Sequence, residues 1–188
     1  GARGGVGGRG GAGWAGWFGA DRPRGQGGGG GGVVKGGLLS AARAEPRLVP
    51  LCTLRMQDGA RAAAVLKEAM AAGFRGAMIS TLPRGIGSVL DAPDLDPFWK
   101  AADDTGAVIH IHPAFDAGES RVHDYGLANG VGRVSDAIVA ISRNAMIGHI
   151  TRYKSAKVFV PTAACRLPLM VGSLKHQPAI SPSTRDYA

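Results

Sequence analysis

Two histidines near the middle of the chain, in "GAVIHIHPAFD" (106–116), have a spacing that metal sites use. Residues two apart in a β-strand face the same side, so His110 and His112 would point together. Neutral imidazole is a common ligand of Zn²⁺ and similar ions. The pair therefore predicts either a metal site or two polar residues that close an ordinary strand. The spacing alone favours the ordinary strand.

The elements that would position these histidines alternate between apolar stretches and helical patterns. Strands are predicted at 47–54, 74–81 and 107–112, and helices at 57–73 and 96–106. Asp58 and Asp96 are suited to cap the helices, and Gly73 and Gly106 to end them. Phe98 and Trp99 on the second helix are expected to be packing residues. Such alternation with short connections predicts an α/β fold with a parallel sheet.

The second half of the chain continues the alternation less regularly. A polar loop is expected at 113–126, a helix at 127–144 with a break near 129–132, a strand at 156–161 and a helix at 163–176. Arg121 lies in the loop, and its planar guanidinium would suit a substrate carboxylate. The isolated His149 and His176 are interpreted as surface residues.

Glycine divides the 188-residue chain into parts, because more than half of its 31 glycines lie before residue 38. Such a segment has too few large apolar side chains to offset its loss of entropy on ordering. We therefore expect disorder over 1–44, a folded domain over 45–178 and a tail over 179–188.

The net charge of +8 comes from the two ends of the chain. The Arg/Gly-rich start could bind RNA through its charge and aromatic residues, although nucleic acid is not the expected partner.

The cysteine content and the hydropathy of the sequence also indicate the cellular compartment. Cys52 and Cys165 are far apart, without metal-type spacing, and too few for a secreted disulfide scaffold. The sequence contains no apolar run of the length that spans a membrane and no secretory signal pattern at its start. A cytoplasmic protein with reduced thiols is therefore expected.

The stretch "GFRGAMISTLPRGIGSVLDAPDLDPFWKAADDTGAVIHIHP" (73–113) resembles the amidohydrolase-related (amidohydrolase 2) family, which includes aminocarboxymuconate-semialdehyde decarboxylase and resorcylate decarboxylases. "YGLANGVGRVSDAIVAISR" resembles the family's next helix, and "AKVFVP" with "LPLMVGSLKH" its next strand and helix. The resemblance covers roughly 45–178 and is most specific over 73–113.

This resemblance implies a metal-dependent decarboxylase or hydrolase of a small carboxylated or cyclic substrate, built on a TIM-like (β/α) barrel. It implies one divalent metal, usually zinc, with the histidine of the "HP" motif, here His112, as a ligand. His110 and Arg121 are then candidate pocket residues. A full (β/α)₈ barrel takes about 250 residues. The predicted fold is therefore a partial TIM-like barrel, with exposed edges that a homodimer could cover.

Three family features are missing from the sequence. Histidine first occurs at residue 110, so the family's first-strand metal pair has no counterpart. Thr162 stands where the family has a catalytic histidine, and a threonine cannot exchange protons near neutral pH as imidazole does. The late metal-binding aspartate also has no counterpart. The alternative hypothesis is therefore an inert fragment or pseudo-enzyme.

A one-base slip in the reading frame is one hypothesis for Thr162. The codons CAC-GGC-GGC for His-Gly-Gly, read one base later, encode the Thr-Ala-Ala found at 162–164. Resequencing tests it: a clean read that still encodes Thr-Ala-Ala would exclude a frame slip.

Overall fold

Four parallel β-strands in the order β1-β2-β3-β4 form the centre of the computed structural model. The structure describes residues 30–114, 120–161 and 166–180. The strands are β1 (Cys52–Thr53), β2 (Gly76–Ser80), β3 (Val108–His112) and β4 (Lys157–Phe159). Each strand lies next to the one that follows it in sequence, which confirms the parallel α/β organisation expected from the alternating pattern.

The helices that connect these strands are α2 (Gly59–Ala71), α3 (Asp96–Thr105), α4 (Arg133–Met146) and the short α5 (His149–Arg152). Outside them lie α1 (Gly30–Ala44) and α6 (Leu167–Ile180). Short 3₁₀ helices occur at Pro93–Leu95 and Ser120–Val122, and a π-helical turn at Ala128–Gly132 leads into α4. The predicted break near 129–132 is therefore the π-helical turn.

The predicted helix ends are confirmed except at the start of α3. Asp58 caps α2 by accepting a hydrogen bond from Arg61 N at 3.0 Å, and Gly106 ends α3 in the left-handed conformation (φ 61°). Asp96 was expected to cap α3, but it is the first helical residue. The reason is the preceding 3₁₀ turn, whose Pro93 carbonyl accepts the Asp96 N–H and continues directly into the helix.

Helix α1 corrects the prediction of disorder for residues 30–44. Glycine disfavours helix, but the second half of α1 contains Leu38, Leu39 and three alanines, which favour it. Leu39 packs against the hydrophobic core beside Gly73, so a tertiary contact supports the helix. Residues 1–29, the proposed RNA-binding start, and the tail beyond Ile180 lie outside the described residues.

The hydrophobic core lies between the sheet and helices α2, α3 and α4. Ile79, Ile109 and Ile111 are fully buried, as are Leu66 on α2 and Phe98 on α3. The core also requires close backbone contact between strands. A Cβ atom on Gly76 would lie 1.8 Å from the carbonyl oxygen of Val108, so only glycine fits at the start of β2.

The opposite face of the sheet and its β4 edge are much less covered. All three residues of β4 are exposed, including Phe159, of which 54% is accessible. On α6, Leu169, Met170 and Val171 are also exposed. This distribution is expected for part of a closed barrel whose neighbouring strands would cover these residues.

Candidate functional site

The candidate site lies at the carboxyl end of the sheet, on the face opposite the core. The register pairs Met78 with His110 and Ser80 with His112, so these four residues share one face. The rings of His110 and His112 are 6.1 Å apart, with their planes at 67°. The two histidines therefore lie together at the strand ends, as the alternation predicts.

His112 has the local geometry that histidine ligands of metals usually have. Its Nδ1 lies 2.8 Å from the carbonyl oxygen of Pro113. Because a carbonyl oxygen can only accept, Nδ1 carries the proton and Nε2 carries the lone pair. Metal-binding histidines commonly donate their other ring N–H in this way, which fixes the tautomer and the ring orientation.

His110 lies beside His112 on the same face of the sheet. Its Nε2 is buried and has no hydrogen-bond partner among the described residues. Burial, followed by the proximity of His112, lowers the pKa of His110, so its ring is neutral near pH 7. The Phe159 ring, 5.1 Å away, forms the neighbouring part of this face. The structure thus places His110 beside His112, with one buried ring nitrogen that makes no hydrogen bond to the described part of the chain.

Two residues that sequence analysis missed fix the backbone that follows His112. The Thr81 hydroxyl accepts a hydrogen bond from Ala114 N at 2.9 Å and donates one to the Asp136 carboxylate on α4. Thr81 N also donates to the His112 carbonyl oxygen at 3.0 Å. We call Thr81 and Asp136 the rim clamp, because their hydrogen bonds fix the backbone at His112 and at Ala114, on either side of Pro113.

Asp136 is half-buried, and this burial raises the pKa of its carboxyl. Hydrogen bonds from Thr81 and from the backbone of Ala114 oppose the shift but are the smaller effects. Because folding raises this pKa, the folded protein keeps the Asp136 proton at pH values where the unfolded chain has already lost it. The contribution of Asp136 to stability is therefore largest at low pH and falls as pH rises through the raised pKa.

A valine at position 81 tests the rim clamp. Valine has nearly the shape of threonine, but Thr81→Val removes the acceptor for Ala114 N–H and the donor to Asp136. We expect the free energy of unfolding to fall by about 1–3 kcal/mol, since partly buried polar groups lose their partners. Denaturant unfolding measures this, and the imidazole resonances of His112 should shift. Thr151→Val on the surface is the matched control, and equal stability of the two variants would contradict the clamp.

The other residues named from the sequence are Arg121, Thr162, His149 and His176. Arg121 lies exposed in the 3₁₀ helix Ser120–Val122, and its role in the pocket stays a prediction. Thr162 lies outside the described residues. His176 is exposed as expected, but the interpretation of His149 as a surface residue is wrong, since only 3% of it is accessible. It is buried because α5 turns it inward against Trp99 and Tyr153.

The described residues do not form a complete metal site. Over 30–114, 120–161 and 166–180, no group of three or more His, Cys, Asp and Glu side chains could hold a metal ion. The geometry of His112 fits one ligand, but a stable site for zinc or a similar ion needs at least three protein ligands. The described residues therefore do not form such a site by themselves, and the ligand role of His112 stays a prediction.

Comparison with known proteins identifies the fold that this site belongs to. The amidohydrolase family model matches residues 38–161, which is most of the folded part. The chain belongs to the amidohydrolase family. The match begins seven residues before the expected domain start at 45, so the second half of α1 belongs to the family region. None of the curated proteins compared with the chain matches it.

Several solved amidohydrolase-family structures share the fold. 5-Carboxyvanillate decarboxylase LigW from Sphingomonas paucimobilis is 20% identical with a TM-score of 0.68, over 79% of this chain and 45% of its own. 2,6-Dihydroxybenzoate decarboxylase from Rhizobium is 19% identical with a TM-score of 0.63, over 80% of this chain and 50% of its own. The chain thus spans about half the length of these structures. The partial TIM-like barrel is confirmed.

A third similar structure contains a metal ion and a substrate analogue. The 5-carboxyvanillate decarboxylase of Novosphingobium aromaticivorans, complexed with manganese and 4-hydroxy-3-methoxy-5-nitrobenzoic acid, is 22% identical with a TM-score of 0.67. The alignment covers 81% of this chain and 45% of that one.

No helix among the described residues has the length and hydropathy to cross a membrane.

Proposed function

We propose that this chain is the part of a metal-dependent amidohydrolase-family decarboxylase that carries the His112 ligand. The observation that carries the proposal is the hydrogen bond from Nδ1 of His112 to the Pro113 carbonyl, at the carboxyl end of β3 in a family-matched barrel. In the neutral ring this hydrogen bond makes Nε2 the nitrogen through which a metal ion would be bound. Active sites of such barrels gather at the carboxyl ends of their strands.

The proposed substrate is a small carboxylated aromatic molecule. The similar solved structures act on compounds of this kind, as their names state. His110 is the proposed pocket residue, because its buried Nε2 has no partner among the described residues and lies on the face of His112. Arg121 is proposed as a carboxylate-binding residue on its chemistry alone, since a guanidinium binds carboxylates with two parallel hydrogen bonds.

The proposed metal is a divalent ion. The family resemblance favours zinc, whereas the similar N. aromaticivorans structure contains manganese. Since the described residues supply one ligand and not a full set, we assign no reaction step to the metal in this chain. The same observation favours the alternative that the chain as it stands is catalytically inert. The cytoplasm is the proposed compartment, on the low cysteine content of the sequence, and the homodimer stays a prediction.

Two compounds named in the similar structures test the proposal: 5-carboxyvanillate as substrate and 4-hydroxy-3-methoxy-5-nitrobenzoic acid as its analogue. We expect the chain, supplied with Mn²⁺ or Zn²⁺, to release no CO₂ from 5-carboxyvanillate above the uncatalysed rate. We expect 4-hydroxy-3-methoxy-5-nitrobenzoic acid to shift the NMR resonances of His110 and His112 more than those of His123 and His176. Shifts centred elsewhere would contradict the pocket assignment. CO₂ release that His112→Ala abolishes would contradict the incomplete site.

A further inference from the structure

Strand β4 lies at the edge of the described sheet, and its outer side carries backbone groups that can pair with another strand. Among the described residues, β4 pairs with β3 alone. Lys157 N donates to the carbonyl oxygen of Ala107 at 2.9 Å, so the N–H and C=O of Lys157 face β3. Backbone groups of consecutive strand residues alternate in direction. The N–H and C=O of Val158 therefore point outward, where a further strand would meet them.

The edge of β4 is the kind of edge that a closed barrel does not have. A barrel pairs every strand on both sides. The chain, however, spans about half the length of the similar solved structures. An unpaired strand edge readily takes up a strand from another polypeptide. The described part of the chain thus leaves β4 open to a strand from outside it.

The side chains of β4 place a cation and an aromatic ring on one face of this edge. Lys157 and Phe159 are two apart, and the register pairs Phe159 with His110, so all three share a face. Lys157 and Phe159 are both exposed, and 54% of Phe159 is accessible. They lie on either side of Val158, the central residue of β4, whose own side chain points to the opposite face.

An antiparallel pairing of two copies about Val158 would satisfy this edge with its own chemistry. The N–H of each Val158 would donate to the C=O of the other, which closes one pair of ladder hydrogen bonds. The same register sets Lys157 of each copy opposite Phe159 of the other. An ammonium group is attracted to the face of an aromatic ring, whereas two lysines directly opposite would repel each other. The edge is therefore self-complementary, as a two-fold interface requires.

We propose that two copies of this chain associate through β4, with the two strands antiparallel about Val158 and Lys157 of each copy against Phe159 of the other. The pairing joins two four-stranded sheets into one continuous sheet. It gives the predicted homodimer a defined interface, and it brings a lysine of the second copy beside the ring that lies 5.1 Å from His110. The proposal does not depend on the metal-ligand role of His112, which lies outside the interface.

The oligomeric state of the full chain is the first test. Because β4 has three residues, the interface is small, and we expect a weak dimer with a dissociation constant on the order of 100 μM. Sedimentation velocity over a concentration series measures this constant. A chain that stays monomeric well above that concentration would overturn the proposal. Oligomers larger than the dimer would also overturn it, since they indicate head-to-tail pairing of β4 with β1 of the next copy.

Val158→Pro tests the backbone pairing. Proline has no N–H, and an edge strand tolerates it where the missing N–H would face outward, so the pairing of β4 with β3 should persist. We expect the dissociation constant of the dimer to rise by at least about 10-fold, because both central hydrogen bonds are lost. Val158→Thr is the matched control, since it keeps the N–H and should keep the dimer. Equal dissociation constants for the two variants would contradict the pairing.

Two charged substitutions at Phe159 test the register. Phe159→Glu sets opposite charges across the axis, facing Lys157 of the second copy, and should keep the dimer. Phe159→Lys sets like charges there and should dissociate the dimer at least about 10-fold more readily. The difference should shrink at high salt, which screens exposed charges. Equal dissociation constants for these two variants would overturn the register. This comparison at a largely exposed position decides the matter if Val158→Pro fails to fold.

Discussion

Replacing Trp99 by alanine is expected to lower the free energy of unfolding by about 3–5 kcal/mol. Only 2% of Trp99 is accessible, and its ring packs edge-on against Phe98 with centroids 5.3 Å apart. It also lies beside His149 and Tyr153, so it joins α3 to α5 and the segment that leads to β4. Because a domain of this size is stable by about 5–15 kcal/mol, the loss would remove much of its stability.

Two further variants show which property of Trp99 matters. Trp99→Phe keeps most of the apolar volume but leaves the Leu90 carbonyl oxygen without its donor, so we expect a smaller loss of about 1–3 kcal/mol. Leu169→Ala, at a residue that is 80% accessible on α6, should change stability by less than about 0.5 kcal/mol. Denaturant unfolding monitored by circular dichroism measures all three variants. A Trp99→Ala protein as stable as Leu169→Ala would contradict the packing described here.

The sequence predicted the central β–α–β units well because their signals are local. Three such signals each act within a few residues: the alternation of apolar and polar residues in Val108–His112, the helix N-cap formed by Asp58, and the glycine after α3. Prediction was less accurate for β1, expected at 47–54 but observed only at Cys52–Thr53. The extent of a strand depends on its neighbours, and β1 is an edge strand that pairs only with β2 within the described sheet.

Features that depend on distant contacts could not be predicted. Thr81 and Asp136 are 55 positions apart, and neither lies in a motif that points to the other. His149 looked like a surface residue because a lone histidine in a short polar segment carries no signal of burial. Its burial follows from Asn144, Trp99 and Tyr153, which three separate segments bring together. The position of His112 was predictable because the strand and the proline after it define the rim locally.

The central claim concerns His112 as a metal ligand in an incomplete site. Mn²⁺ is paramagnetic and broadens the NMR resonances of nuclei close to it, so it detects even weak coordination. The chain contains five histidines, which provide internal controls. His123 and His176 are exposed, whereas His149 is buried on the other side of the sheet.

The decisive measurement is therefore a titration of the chain with Mn²⁺, followed through its imidazole resonances. We predict that His112 broadens first, with His110 next because its ring lies 6.1 Å away, and that His112→Ala removes this selective broadening. We predict weak binding, since a lone ligand lacks the partners of a full site. Selective broadening of the exposed His123 or His176, with His112 unaffected, would contradict the assignment of His112 as the metal ligand.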